Sequence, residues 1–175
     1  LKRYPWTTAA TAASAAPHYV FSGHWQIAPD GKITPLPINA WDNGDLGQRA
    51  AYVLSGLVDY YRYSGDPAAV AHLTYQADAL LDHCLTPENH PWPKFLVSVP
   101  VKGKAYQKCD PQGMIQLDIV AEAGIGLLRA YQVTGSQRWL EAAKHWGNLM
   151  AKNRSRKPGA APWGRYANPE SAPWK

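Results

Sequence analysis

The sequence predicts an all-α protein made of antiparallel helical hairpins joined by long irregular loops. Two observations carry this. A segment occurs twice, at Gly56 to Gly65 (GLVDYYRYSG) and at Gly126 to Gly135 (GLLRAYQVTG), 70 positions apart, and a second amphipathic stretch follows each copy. Each copy also ends in glycine, which can take the left-handed conformation that closes a helix. A period this long, with two helices and a long connection per unit, points to an array whose members bury their apolar faces on one another.

Residues 1 to 38 are rich in Ala, Thr, Pro and Gly without sustained periodicity, and read as an irregular N-terminal segment. Within them, Thr7 to Ala16 suits a short helix or the tail of a signal peptide, although the Leu-rich core of such a peptide is missing. The two hairpins occupy residues 39 to 153. The first helix runs from about Asp45 to Ser64, with Leu46, Ala50, Val53, Leu54, Leu57, Val58 and Tyr61 on one face. Gly65 stops it, and Asp66 with Pro67 restarts a helix through a capping carboxylate and a proline at the first position. Val70, Leu73, Ala77, Leu80, Leu81 and Cys84 carry the returning face.

In the second unit Asp110 and Pro111 repeat the start signal for a helix over 111 to 134, with Leu117, Ala121, Gly124, Leu128 and Tyr131 as its stripe. Ser136 is placed to cap the partner helix over 136 to 152, whose Trp139, Leu140, Ala143, Trp146 and Met150 face inward. Glu88 to Lys108 and residues 154 to 175 are long connections, the second marked by four prolines. Long connections in compact domains are commonly functional. Leu1 is not an initiator methionine and the text stops in a proline-rich stretch, so the expectation is a single partial domain with a remainder beyond it.

At 175 residues and 46% hydrophobic composition the chain can bury a proper core. No run approaches bilayer length, so no membrane partner is expected. A net charge of +5 suits an acidic partner or a solvated loop surface equally. The basic residues are interrupted and no reading motif appears, which argues against nucleic acid. The histidines and cysteines form no metal-ligand pattern, so neither a metal nor another cofactor is expected. Cys84 and Cys109 fit either a bridge across the loop or two free thiols.

The run Ala40 to Gln48 (AWDNGDLGQ), followed by hairpins of the form Leu-x-x-x-Tyr-x-x-x-Gly with an Ala-rich succeeding helix, resembles the six-hairpin glycosidase superfamily over about Asn39 to Asn153. The resemblance implies an (α/α)6 toroid of which two hairpins are present, a carbohydrate substrate, and a secreted or periplasmic location. It also implies a site at the mouth where the connections before the inner helices open. Those connections are Asn39 to Asp45, Glu88 to Asp110 and Pro158 to Lys175.

They carry side chains suited to a sugar. Trp41, Trp163, Tyr106 and Tyr166, with Trp92 and Trp174, offer flat apolar faces for pyranose rings, or alternatively pegs that pin loops to the core. Glycoside hydrolysis needs two carboxyls across the scissile bond. Asp42, Asp45 and Asp110 are the available carboxyls, of which Asp42 and Asp110 are assigned to that pair, with Trp41, Asp45, Tyr106, Trp163, Arg165 and Tyr166 binding the substrate. The aspartates double as candidate helix caps. Asp118 and Glu122, one turn apart, are further carboxylates able to face a cavity or to form ion pairs. A polysaccharide lyase is the alternative: His90, Lys102, Lys104, Tyr106 and Arg165 supply the cations and bases that abstraction beside a uronate carboxylate requires. A non-catalytic helical repeat binding a protein or peptide is the third reading, disfavoured by the long period. No oligomeric state is predicted, but an open pair of hairpins leaves faces that favour self-association.

Overall fold

The computed structural model describes residues 25–35, 46–99 and 112–167. Its helices pair as two hairpins, α1 (Leu46–Ser64) with α2 (Pro67–His83) and α3 (Leu117–Thr134) with α4 (Gln137–Lys152). The glycine stops act as the sequence predicts. Gly65 (φ 65°) and Gly135 (φ 73°) are left-handed, and their N–H groups return to the Tyr61 and Tyr131 carbonyls at 2.8 and 2.7 Å. Asp66 caps α2 by accepting from the Ala68 N–H at 2.9 Å, with Pro67 in the first turn.

Four details differ from expectation. Residues 1 to 38 are not irregular throughout, because β1 (Trp25–Ile27) and β2 (Ile33–Pro35) pair antiparallel with Gln26 opposite Thr34. The turn between them is set by Pro29, Asp30 and Gly31: Asp30 Oδ1 accepts the Lys32 N–H at 2.9 Å and Gly31 sits at φ 79°. Helix α3 starts at Leu117 rather than Pro111, with Gln116 extended at its N-cap, because residues 113 to 116 are committed to loop hydrogen bonds. Ser136 stands at the α4 N-cap, but its hydroxyl makes no capping bond. The stripe of α3 is also displaced. Ala121 and Leu128 are exposed, while Leu117, Val120, Ala123, Leu127 and Ala130 are buried. Apolar residues occur nearly all round this helix, so the period alone does not select the buried arc; the neighbours α1 and α4 do.

Helices α1 and α3 lie against each other and run parallel. Gly47 meets Ile119 near their starts, Ala51 and Leu54 meet Gly126 farther along, and Asp59 and Arg62 reach Arg129 (2.5 Å) and Gln132 (3.5 Å) near their ends. The last two pairs are 70 residues apart, so the repeat in the sequence is also the spatial relation between the hairpins. On the other side of α3, Trp139 and Trp146 of α4 are fully buried. Burying such side chains contributes about 1.5–3 kcal/mol each. Their indole N–H groups are satisfied by Asp78 Oδ1 and the Lys94 carbonyl, each at 2.9 Å. Arg138 ties α4 to α2 through Asp78 (3.1 Å) and Asp82. Cys84 is a buried free thiol in this core, and burial pushes its pKa up to about 12. Among the described residues no helix is long and apolar enough to cross a membrane.

The close helix contact gives a test in which one substitution has opposite signs at two glycines. A Cβ on Gly47 would lie 2.5 Å from Ile119 Cγ2 and 2.6 Å from its carbonyl oxygen, whereas one on Gly56 would meet nothing within 4 Å. Gly47→Ala should therefore destabilise by about 1–3 kcal/mol. Gly56→Ala should stabilise by about 0.5–1 kcal/mol, both read from chemical denaturation midpoints.

His72 adds a pH test. Burial holds this imidazole below its ordinary pKa of 6.5, so the unfolded chain takes up the proton first as pH falls. The stability it contributes is present above about pH 6.5 and is lost below it. Urea midpoints should drop between about pH 7 and pH 5, and His72→Gln, which cannot charge, should flatten that slope.

Candidate functional site

The site is built at the end of the hairpins where α1 and α3 begin. After α2 the chain makes a bonded loop in place of the irregular stretch expected from Glu88 onward. Leu85 bridges Leu96, the Thr86 N–H reaches the Phe95 carbonyl at 2.8 Å, and the Thr86 hydroxyl donates to the Trp92 carbonyl while accepting the Phe95 N–H at 2.9 Å. Trp92 lies edge-on to Phe95, with ring centroids 5.0 Å apart, and packs against the core. His90 is turned onto the Trp92 backbone, its Nδ1 accepting that N–H at 3.0 Å.

From there the loop reaches Ser98, which is buried and central. Its N–H donates to the Met114 carbonyl at 2.7 Å, its hydroxyl oxygen accepts the Gln116 N–H at 3.0 Å, and its carbonyl accepts the Leu46 N–H at 3.4 Å. One residue thus joins the start of α1 to the residues leading into α3. The connection after α4 arrives at the same place: Arg165 O accepts the Leu117 N–H at 2.8 Å, and the Ala167 N–H reaches Ile115 O at 3.1 Å. Gln116 and Tyr166 form an antiparallel bridge between the two strands of loop.

Arg165 and Tyr166, both predicted as substrate-binding, are therefore brought together at the start of α3. The Arg165 guanidinium lies over the Tyr166 ring, 5.4 Å from its centroid, donates to Gln116 Oε1 at 3.1 Å, and has Nε 4.0 Å from Asp118 Oδ2. Both charged side chains are well exposed, 61% for Arg165 and 59% for Asp118. Asp118 occupies the first turn of α3, where the helix dipole favours a negative charge. Glu122 follows one turn later, and its Oε2 is buried with no hydrogen-bond partner among the described residues. Trp163 stands apart from this group as a peg on α4: its indole donates to the Met150 carbonyl at 2.7 Å, leaving part of the ring exposed. Trp41, Asp42, Asp45, Tyr106 and Asp110 lie outside the described residues, as do Lys102, Lys104, Cys109 and Trp174.

Sequence reasoning missed Ser98 and Gln116. Ser98 stands in a run of apolar residues that gives no sign of a junction, and Gln116 was absorbed into the helix expected from Pro111. A separate cleft of about 620 Å³ opens between the end of α2, residues 85 to 94 and α4. Its charges are matched internally: Arg138 is held charged by Asp82 and Asp78, and Glu88 is held below the usual carboxylate range by Lys94 at 2.7 Å. None of the sequence-predicted residues lines it. Among the described residues no group of three or more His, Cys, Asp or Glu side chains gathers to hold a metal. No family model, no curated protein and no solved structure matches the chain.

Ser98→Ala tests the junction. It removes the acceptor of a buried N–H and should cost about 1–3 kcal/mol of stability. Amide hydrogen exchange should quicken first at Gln116 and Leu117, ahead of the middle of α3.

Proposed function

We propose that this chain is part of a carbohydrate-active enzyme of the six-hairpin type, a glycoside hydrolase whose substrate lies across the starts of α1 and α3. The observation that carries the reading is the convergence of two connections on that end, with Arg165, Tyr166 and Asp118 brought together there and Glu122 one turn farther along α3. An aromatic ring beside a guanidinium and a carboxylate is equipment for gripping sugar hydroxyls and ring faces. Asp42 and Asp110 are assigned the acid and base roles, with Trp41, Asp45, Tyr106 and Trp163 as further sugar contacts. Asp118 and Glu122 are the reserve carboxylates. The residue at the N-cap position of α3 is Gln116, whose side chain makes no capping bond.

One observation favours a second reading. A lyase needs a cation against the uronate carboxylate and a base at the adjacent carbon, and the stacked Arg165 and Tyr166 form such a pair.

The test uses the full-length protein on a panel of glycans. Asp42→Asn and Asp110→Asn should each lower turnover by about 10²- to 10⁴-fold. Their denaturation midpoints should hardly move, because asparagine caps a helix as well as aspartate. Product analysis separates the readings: a lyase leaves an unsaturated uronate that absorbs in the ultraviolet, and a hydrolase leaves none. Full turnover in both variants removes the assigned roles, and no turnover of any glycan by the parent protein removes the enzyme reading.

A further inference from the structure

Beyond the ion pair of Glu141 with Lys144 the sequence has no acidic residue until Glu170, yet it holds Lys152, Arg154, Arg156, Lys157 and Arg165. Of the 18 Lys and Arg, the remaining 13 balance the 13 Asp and Glu, so these five residues account for the whole net charge of +5. Lys152 is at home in the last turn of α4, where the helix dipole favours a cation. The others stand on the connection that follows.

That connection is a closed loop. The Ser155 N–H reaches the Pro162 carbonyl at 2.6 Å, and the Ala160 N–H reaches the Lys157 carbonyl at 3.2 Å across a turn centred on Pro158 and Gly159, with Gly159 at φ 75°. The Asn153 side chain holds the start of the loop to the Leu149 carbonyl at 2.8 Å, and the Trp163 indole holds its foot to the Met150 carbonyl at 2.7 Å. Arg154, Arg156 and Lys157 are exposed on it, and no described carboxylate pairs with them. Like charges gathered on one bonded loop repel one another, and an anionic partner relieves that repulsion. Because α4 returns against α3, the loop lies at the end where α3 begins, and it leads directly to Arg165, whose carbonyl holds the Leu117 N–H.

We infer that this loop is a binding surface for an acidic polysaccharide, whose carboxylates or sulfates sit on Arg154, Arg156 and Lys157 while its chain runs on to Arg165 and Tyr166. The guanidinium fork fits either anion, and the partly exposed Trp163 ring offers a pyranose a flat face beside the cations. The backbone bonds preorganise the loop, so little ordering opposes binding. A bilayer fits less well, because Trp163, the one large apolar side chain of residues 153 to 163, is tied to α4 and is not free to insert. Single-stranded nucleic acid asks for a row of stacking platforms where this loop has one, and a duplex groove takes a helix or a strand pair. The choice of a polysaccharide rests on the carbohydrate reading; the cationic surface does not.

Affinity electrophoresis of the full-length protein through gels containing polygalacturonate, dextran sulfate or neutral dextran tests it. The parent should be retarded by an acidic polymer and not by dextran, the two acidic gels deciding between carboxylate and sulfate, and the retardation should fall steeply with salt. Arg154→Ser, Arg156→Ser and Lys157→Ser together should weaken binding by about tenfold or more and flatten the salt dependence, with helical circular dichroism unchanged. Removing the same charge from Arg62, Lys94 and Lys144, which already have partners, should change binding by less than about twofold. Equal loss in the two triple variants, undiminished binding by the loop variant, or preference in competition for a single-stranded oligonucleotide or anionic lipid vesicles overturns the proposal. Turnover is scored separately. An acidic glycan bound but not cleaved upholds this surface and counts only against the enzyme reading, whereas a neutral glycan cleaved with no acidic one bound does the reverse.

Discussion

Buried helix starts need acceptors, and here the loops supply them. The first N–H groups of a helix have no partner within it. Leu46 is fully buried, Gln116 and Leu117 are nearly so, and Gln116 does not cap α3 with its side chain. The missing acceptors are backbone carbonyls and one hydroxyl of the neighbouring connections: Ser98 O for Leu46, Ser98 Oγ for Gln116 and Arg165 O for Leu117. The connections are therefore the caps of the helices they join. That requirement gathers distant parts of the chain at one end, and the candidate site is a consequence of it.

Along the rest of their length α1 and α3 are held by packing rather than by charge. Arg129 and Asp59 sit 2.5 Å apart, but both side chains are substantially solvated, and exposed pairs contribute about 0–1 kcal/mol. The glycines matter more, because a Cβ on Gly47 would collide with Ile119 and one on Gly126 would press tightly on Ala51 and Leu54. Close approach at both points fixes the stagger, and the stagger in turn brings positions 59 and 129 opposite each other. The ion pair reports the register that the glycines impose.

The hairpins were legible in the sequence because their signals are local. Glycine stops, the Asp66 cap and the face of α1 each depend on residues within a few turns of one another. The start of α3 was not, because Asp110 and Pro111 give a genuine local start signal that loses to non-local bonds from Ser98 and from residues 165 to 167. The buried face of α3 was unreadable for a related reason: with apolar residues on most sides, only the presence of α1 and α4 decides which go inside. In the candidate site, Arg165 and Tyr166 were identifiable as loop residues of sugar-binding type. Their pairing with Gln116 and Asp118 was not, since it depends on a bridge between residues about fifty positions apart.

The displaced start of α3 bears directly on the site. A helix beginning at Pro111 would carry Asp118 beyond its second turn, away from the loops and out of the region where the dipole favours an anion. Beginning at Leu117, it sets Asp118 in the first turn beside Arg165 and Glu122 one turn on. The Arg165 and Asp118 side chains are separated by 4.0 Å and mostly solvated, so their attraction is weak enough for a ligand hydroxyl or carboxylate to compete for either. Glu122 is in the opposite condition, with a buried oxygen that no described neighbour satisfies. An unmet buried acceptor carries a free-energy penalty of about 1–3 kcal/mol, which a bound donor relieves. The two carboxylates on one helix therefore differ in their surroundings: Asp118 has a loosely held cationic partner, whereas Glu122 holds a buried acceptor that no described residue meets.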